Sequence, residues 1–249
     1  MLNRLIKAGA FVIALTTASY AQQPGGNLVY LVQPEPSTLA GYASTSSPIP
    51  MITTKIYEGL VEYGFDLQPK PALAESWSIS PDGLVMTFKL RPGVTFHDGK
   101  PFTSADAAFS IETVKKVHPR SISTLREVTA VETPDASTLV LKLAHPAPYI
   151  MSALSSVEVP MLPKHLFQGE ADVRASKLAN APIGTGPFKF VRWERGQYIL
   201  MEKNTTYWRK GEPYLDRLVA RFVPDGSTRA ALLESGEVQL AGLGAVPYS

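Results

Sequence analysis

The chain reads as a mixed α/β protein, with sheets flanked by helices, and three stretches predict this. Residues 77–90 form two strand-like runs on either side of Pro81-Asp82-Gly83, a strong turn signal. Residues 104–117 read as a helix opening on Thr103, a good N-cap, with Asp106 three residues later. Residues 128–132 and 138–143 form a second hairpin across Thr133-Pro134-Asp135-Ala136. Hairpins interleaved with helical segments point to sheets that carry helices on their faces.

In chain order, residues 1–21 read as a cleavable export signal. Arg4 and Lys7 make a basic start, residues 8–15 an apolar run, and Ser19-Tyr20-Ala21 offers small residues at the two positions a signal peptidase reads. Cleavage is expected before Gln22. The apolar run falls short of the roughly 20 residues of a permanent span, so no stable membrane insertion is expected. No cysteine follows, which excludes lipid attachment to a mature N-terminal cysteine.

Residues 22–26 are a tether and 27–32 a strand, broken by Gln33-Pro34-Glu35-Pro36. Residues 44–47 are a polar loop. A helix is expected over 48–60, its prolines near the start where they are tolerated. In the first hairpin Trp77 and Ile79 share a face, and Leu84, Met86, Phe88 and Leu90 alternate inward. In the second, Leu139, Leu141 and Leu143 alternate with Thr138, Val140 and Lys142, as a half-buried sheet requires. Helical segments are expected near 148–155 and 171–179. After Pro182-Ile183-Gly184-Thr185-Gly186-Pro187 comes a hairpin over 188–193 and 198–203, turning at Arg195-Gly196. A strand near 218–223, a helix near 226–235 and a strand near 238–243 complete the chain.

Composition excludes several function classes. Setting aside Arg4 and Lys7, the 24 Lys+Arg fall to the number of Asp+Glu, 22, so the exported part is formally neutral. It has no clustered cationic footprint for nucleic acid. The absence of cysteine excludes disulfides, thiol catalysis and cysteine-ligated metals. A chain of this size buries an adequate core without such staples.

The most specific signal is a set of segments spread along the chain. These are Ile56-Tyr57-Glu58-Gly59-Leu60, Pro71-Ala72-Leu73-Ala74-Glu75-Ser76-Trp77 and Ser80-Pro81-Asp82-Gly83, followed by the run from Phe88 through Gly93 and His97-Asp98-Gly99 to Thr103. Pro182-Ile183-Gly184-Thr185-Gly186-Pro187-Phe188 and the run from Lys203 through Tyr207-Trp208 to Asp216 continue it. This closely resembles the extracytoplasmic solute-binding proteins of family 5, the oligopeptide, dipeptide and nickel receptors of ATP-binding cassette (ABC) importers. The resemblance implies a periplasmic-binding-protein-like fold (class II, type C cluster). It also implies a non-enzymatic role, capturing a peptide-like solute in the periplasm and delivering it to ABC permease subunits. A monomer is implied for the full-length protein. Family members are roughly twice this long. Mapped here, lobe I takes 22–48 and 179–249 and lobe II takes 49–178, with lobe III missing. Ala105 and Gln239 stand where the family commonly has Asp.

The same resemblance places the ligand between lobes I and III and nominates Thr45 and Ser47 in the polar loop, with Gly242 and Leu243 at a strand end. Hydroxyls and exposed backbone there suit a peptide added as a strand. As ordinary loop and strand-end residues they would serve structure alone. Gly184-Thr185-Gly186 lacks the Lys and spacing of a phosphate loop and reads as a crossover whose glycines supply unusual backbone angles. His97-Asp98-Gly99 reads as a turn. His118, His145 and His165 lack helical zinc spacing, so no metal or cofactor is expected. Tyr57, Trp77, Trp193, Tyr207 and Trp208 read as packing residues. No catalytic residue is expected: there is no Gly-x-Ser-x-Gly elbow, zinc motif or cysteine nucleophile for a secreted hydrolase. The competing reading is a truncated, non-transporting fragment or a partner-binding scaffold.

Overall fold

The structure is a computed structural model, and it describes residues 24–242. The export signal and Leu243 lie outside the described residues. After β1 (Asn27–Leu31), helix α1 covers only Pro50–Thr53, not the expected 48–60. The reason is competition for carbonyls. Those of Lys55 and Ile56 accept from the amides of Phe188 (3.0 Å) and Gly186 (2.8 Å), and that of Glu58 accepts from Met161 (2.9 Å). Tertiary partners thus replace the helical ladder from residue 55 on.

A small ribbon follows, β2 (Val61–Tyr63) with β3 (Pro69–Pro71). The first hairpin is β4 (Ala74–Ile79) and β5 (Val85–Leu90). Met86, Phe88 and Leu90 are buried as alternation predicts, whereas Ile79 at the strand end is 48 % exposed. Helix α2 spans Ser104–Val117, as expected. Thr103 donates its N–H (2.9 Å) and hydroxyl (2.8 Å) to Asp106 Oδ2, while Oδ1 accepts from the Lys164 amide (3.0 Å). Asp106 therefore closes the helix start and pins a distant segment to it.

One-turn helices α3 (Ser121–Thr124), α4 (Ile150–Ala153) and α5 (Lys164–Phe167) join the remaining strands, with 3-10 turns at Val173–Ala175 and Lys177–Ala179. The second hairpin is β6 (Val128–Asp135) with β7 (Thr138–Leu143). β6 continues through Pro134 because it is an edge strand, where a missing donor is tolerated. β8 (Phe188–Glu194), β9 (Tyr198–Lys203), β10 (Arg217–Arg221), α6 (Gly226–Glu234) and β11 (Leu240–Ala241) follow close to expectation. Asp225 caps α6, accepting from the Thr228 amide (2.7 Å).

The strands assort into two main sheets. One runs β11-β1-β10-β9-β8, with β1 parallel to both β10 and β11 and the rest antiparallel. The other runs β4-β5-β7-β6 and is antiparallel throughout. The larger core packs α2, Phe88, Phe96 and Leu141 around the second sheet. A smaller one packs Ile52, Ile56, Ile199 and Met201 on the first. Residues 50–60 feed both cores, with Ile56 in one and Tyr57 in the other. Among the described residues, no helix is long and apolar enough to cross a membrane.

Candidate functional site

A cavity of about 260 Å³ opens beside α1. Ser44, Thr45, Ser47 and Thr53 line one side, His118, Arg120 and Val157 the other. The polar loop thus brings Thr45 and Ser47 together, both exposed, and faces them with a turn some 70 residues away in sequence. Gly242 is elsewhere: a Cβ there would lie 2.8 Å from Met51 Cε, against α1 and outside the cavity's lining.

The far wall rests on a buried polar cluster. His118 is 1 % exposed, Ser121 0 % and Glu158 6 %. His118 Nδ1 accepts from the Ser121 amide (3.2 Å) and lies 3.0 Å from Ser121 Oγ, which donates to Glu158 Oε1 (3.2 Å). The His118 ring also bonds the Ser44 backbone, tying the polar loop to the cluster. Burial holds His118 below the usual imidazole range, with Glu158 pulling the other way. Serine, histidine and a carboxylate meet here, but not as a nucleophile, base and orienting acid. The carboxylate bonds the serine, not the second imidazole nitrogen, and the serine oxygen is sealed from solvent. The cluster is a latch.

The rim is different. Arg120 reaches Glu158 Oε2 at 3.8 Å, an ion pair too long for a hydrogen bond, and its side chain is 58 % exposed. Sequence reasoning missed Arg120. The available signal was His118-Pro119-Arg120-Ser121 directly after α2, where a proline forces the chain to turn.

A second recess, about 410 Å³, lies over Glu58, Glu62, Tyr207 and Arg209. Glu58 is buried and accepts from Tyr207 Oη (2.8 Å), Thr185 Oγ1 (2.8 Å) and Trp208 Nε1 (3.1 Å). Burial pushes its carboxyl up, while those three donors pull it down. The guanidinium groups of Arg91 (4.2 Å) and Arg209 (4.6 Å) both lie over the Trp208 ring. This joint holds residues 55–60, the crossover and residues 204–209 together, so Tyr207 and Trp208 are packing residues.

The Gly184-Thr185-Gly186 crossover needs glycine for a reason other than the expected one. Neither glycine has a positive φ. A Cβ on Gly186 would lie 2.7 Å from the Lys55 and Ile56 carbonyl oxygens, and one on Gly184 would overlap the Ile56 oxygen outright. Close approach, not torsion, fixes them. His97 braces the same loop. Its Nδ1 accepts from the Gly184 amide (3.3 Å), and its Nε2 donates to the Gly186 carbonyl (3.0 Å). Gly99 supplies the turn with φ +85°. Asp98 Oδ2 lies 2.6 Å from His165 Nε2. Among the described residues no group of three or more His, Asp or Glu could hold a metal ion.

A family model described as bacterial extracellular solute-binding proteins, family 5 Middle, matches residues 68–248. A Brucella ovis protein named as an ABC transporter peptide-binding protein is 40 % identical over 172 residues, 67 % of this chain and 32 % of its own. The oligopeptide-binding protein AppA of Bacillus subtilis is 33 % identical over 232 residues, 91 % of this chain and 42 % of its own. Its structure with a nonapeptide superposes with a TM-score of 0.80, covering 88 % of this chain and 44 % of that one. NikZ of Campylobacter jejuni, in complex with Ni(L-His), superposes with a TM-score of 0.74 at 32 % identity, covering 85 % and 42 %. The chain spans less than half the length of these relatives.

Proposed function

The chain belongs to the bacterial extracellular solute-binding proteins of family 5, and from that membership we infer that it helps capture a peptide-like solute in the periplasm and present it to the permease subunits of an ABC importer. The family is one of binding proteins, not enzymes, and the sealed Ser121 agrees with that. The observation that carries the reading is the cavity in which Thr45 and Ser47 meet Arg120, a concave wall rich in hydrogen-bond donors.

We propose the lobe division read from the sequence, with 22–48 and 179–249 forming lobe I and 49–178 lobe II. It is supported by the sheets: the five-stranded one draws on residues 27–31 and 188–241, the four-stranded one on residues 74–143. The ligand would lie against the polar loop, with Thr45, Ser47, Gly242 and Leu243 along lobe I. The opposing wall would come from the length that relatives have beyond what this chain spans. Closure of such a hinged clamp traps the solute, and the closed form docks on the permease.

Peptide is preferred over a nickel chelate because, structure against structure, AppA with its nonapeptide superposes better on this chain than NikZ with Ni(L-His), at a TM-score of 0.80 against 0.74 and a coverage of 88 % against 85 %. The test is native mass spectrometry and calorimetry on the full-length protein from its source cell, with a defined peptide library. Saturable binding at a 1:1 ratio supports the reading. Binding of Ni(L-His) but of no peptide would replace peptide with a chelate.

A further inference from the structure

The cavity beside α1 carries three unengaged donors, two on the polar loop and one on the opposite side. Neither the Thr45 nor the Ser47 hydroxyl makes a hydrogen bond among the described residues, and both are exposed. The Arg120 guanidinium donates none either; its partner is the 3.8 Å ion pair with Glu158. That carboxylate is held from behind, since Glu158 Oε1 takes the Ser121 hydroxyl and Glu158 is almost fully buried. Glu158 thus orients the guanidinium without occupying its N–H groups. A planar fork of five donors, aimed and unfilled, is matched to a two-oxygen anion. No carboxylate lines the cavity itself; the negative group nearest the guanidinium, Glu158, is buried behind Arg120 and already paired with it.

The position of Arg120 is itself fixed. Pro119 ends α2, and the Arg120 carbonyl accepts from the amides of Ser123 (3.0 Å) and Thr124 (3.0 Å) at the start of α3. The latch of His118, Ser121 and Glu158 holds this turn against Ser44, so Arg120 and the two hydroxyl residues line the same cavity. A volume of about 260 Å³ falls just below the roughly 300–1,000 Å³ of drug-sized pockets, room for a terminus with a small residue or two but not for a long peptide.

We propose that Arg120, with the hydroxyls of Thr45 and Ser47, forms a subsite for a carboxylate of the captured solute, and that Arg120 sets a preference for acidic over neutral ligands. This rests on the solute-capture reading above. It places a specificity-determining residue in the middle segment of the chain, across the cavity from the polar loop.

The test uses the full-length protein and defined probes: di-, tri- and tetra-alanine and their C-terminal amides, titrated by calorimetry at pH 7. Wild type is expected to bind the best acid roughly ten- to a hundred-fold tighter than its amide, the range of a charge-assisted hydrogen-bonded contact. Arg120→Gln should erase that preference while leaving the amide's affinity within about twofold. Arg120→Lys should keep part of it, because the charge stays and the fork is lost. Should Arg120→Gln fail to fold, the double variant Thr45→Val, Ser47→Ala carries the test, with an expected loss of roughly tenfold for the acid alone. Equal affinity for acid and amide in wild type, or parallel losses for both probes in the variants, overturns the subsite and leaves capture standing. If none of the acids or amides binds saturably, peptide capture fails and the subsite falls with it.

Discussion

Acidification should loosen this fold through one imidazole. His97 is held neutral between two glycines, with Nδ1 accepting from Gly184 N–H and Nε2 donating to the Gly186 carbonyl. A proton on Nδ1 would set two N–H groups against each other. Burial lowers His97 from 6.5 to about 4; the Gly186 hydrogen bond opposes this and the nearby Lys189 adds to it. Between those two values the unfolded chain binds the proton and the folded chain does not. Falling pH therefore draws the equilibrium toward unfolding. The contribution is fully present above pH 6.5, is lost as pH falls toward 4, and changes no further below that. A shift of this size couples about 3 kcal/mol to the interval. The assay is urea unfolding of the full-length protein, followed by tryptophan fluorescence from pH 4 to 7.5, for wild type and His97→Gln. Glutamine can accept and donate at the same place but does not titrate. Other groups cancel in the difference, so the stability gap favouring wild type should shrink by about 3 kcal/mol between pH 7 and pH 4. A gap constant across that range would refute the reasoning.

Four further outcomes are expected, each read from the same unfolding curves. Gly184→Ala should cost about 3 kcal/mol, because its Cβ meets the Ile56 carbonyl and the bonds on both sides must shift. Gly99→Ala, with φ +85° and open space around it, should cost only about 1 kcal/mol; equal losses would restore the torsional reading of the crossover. Tyr57→Phe should leave stability unchanged or raise it by about 1 kcal/mol, since the Tyr57 hydroxyl is buried with no partner among the described residues, and a clear loss would show that it has one. Asp106→Ala should cost about 2 kcal/mol by freeing the Thr103 and Lys164 amides together, whereas a loss below 0.5 kcal/mol on the order of a surface change would discount the cap.

The elements most legible in the sequence are those whose signals are local. Pro81-Asp82-Gly83 and Arg195-Gly196 fix hairpins through their own backbone preferences, and Thr103 with Asp106 marks the start of α2 three residues apart. The helix expected over 48–60 fails for the opposite reason. Its residues favour helix, but the carbonyls of Lys55 and Ile56 find amides at Phe188 and Gly186, more than 100 residues on, and no local pattern announces that pairing. The glycines of the crossover were legible as glycines, not as contacts. Identity shows that a side chain is absent; only the fold shows that Ile56 stands where it would be.

The candidate site divides along the same line. Thr45 and Ser47 were reachable because a polar loop before a helix is a local feature, and their family context nominated them. Arg120 was not, because its meaning depends on Glu158, Ser121 and Ser44 meeting behind it, and Ser121 and Glu158 are 37 positions apart. Yet part of the placement follows from chemistry in four consecutive residues. Pro119 cannot continue α2, so the chain must turn there. His118 and Ser121 flank the turn and bond each other across it, burying both and leaving the long side chain between them at the surface. An arginine so placed cannot fold back into the core, and its charge needs a partner. The one it has, Glu158, aims it without filling it. A helix-ending proline followed by a basic residue inside a polar-bonded turn is therefore a pattern worth reading as a presented cation, and Arg120→Gln measures whether this one is presented to the solute.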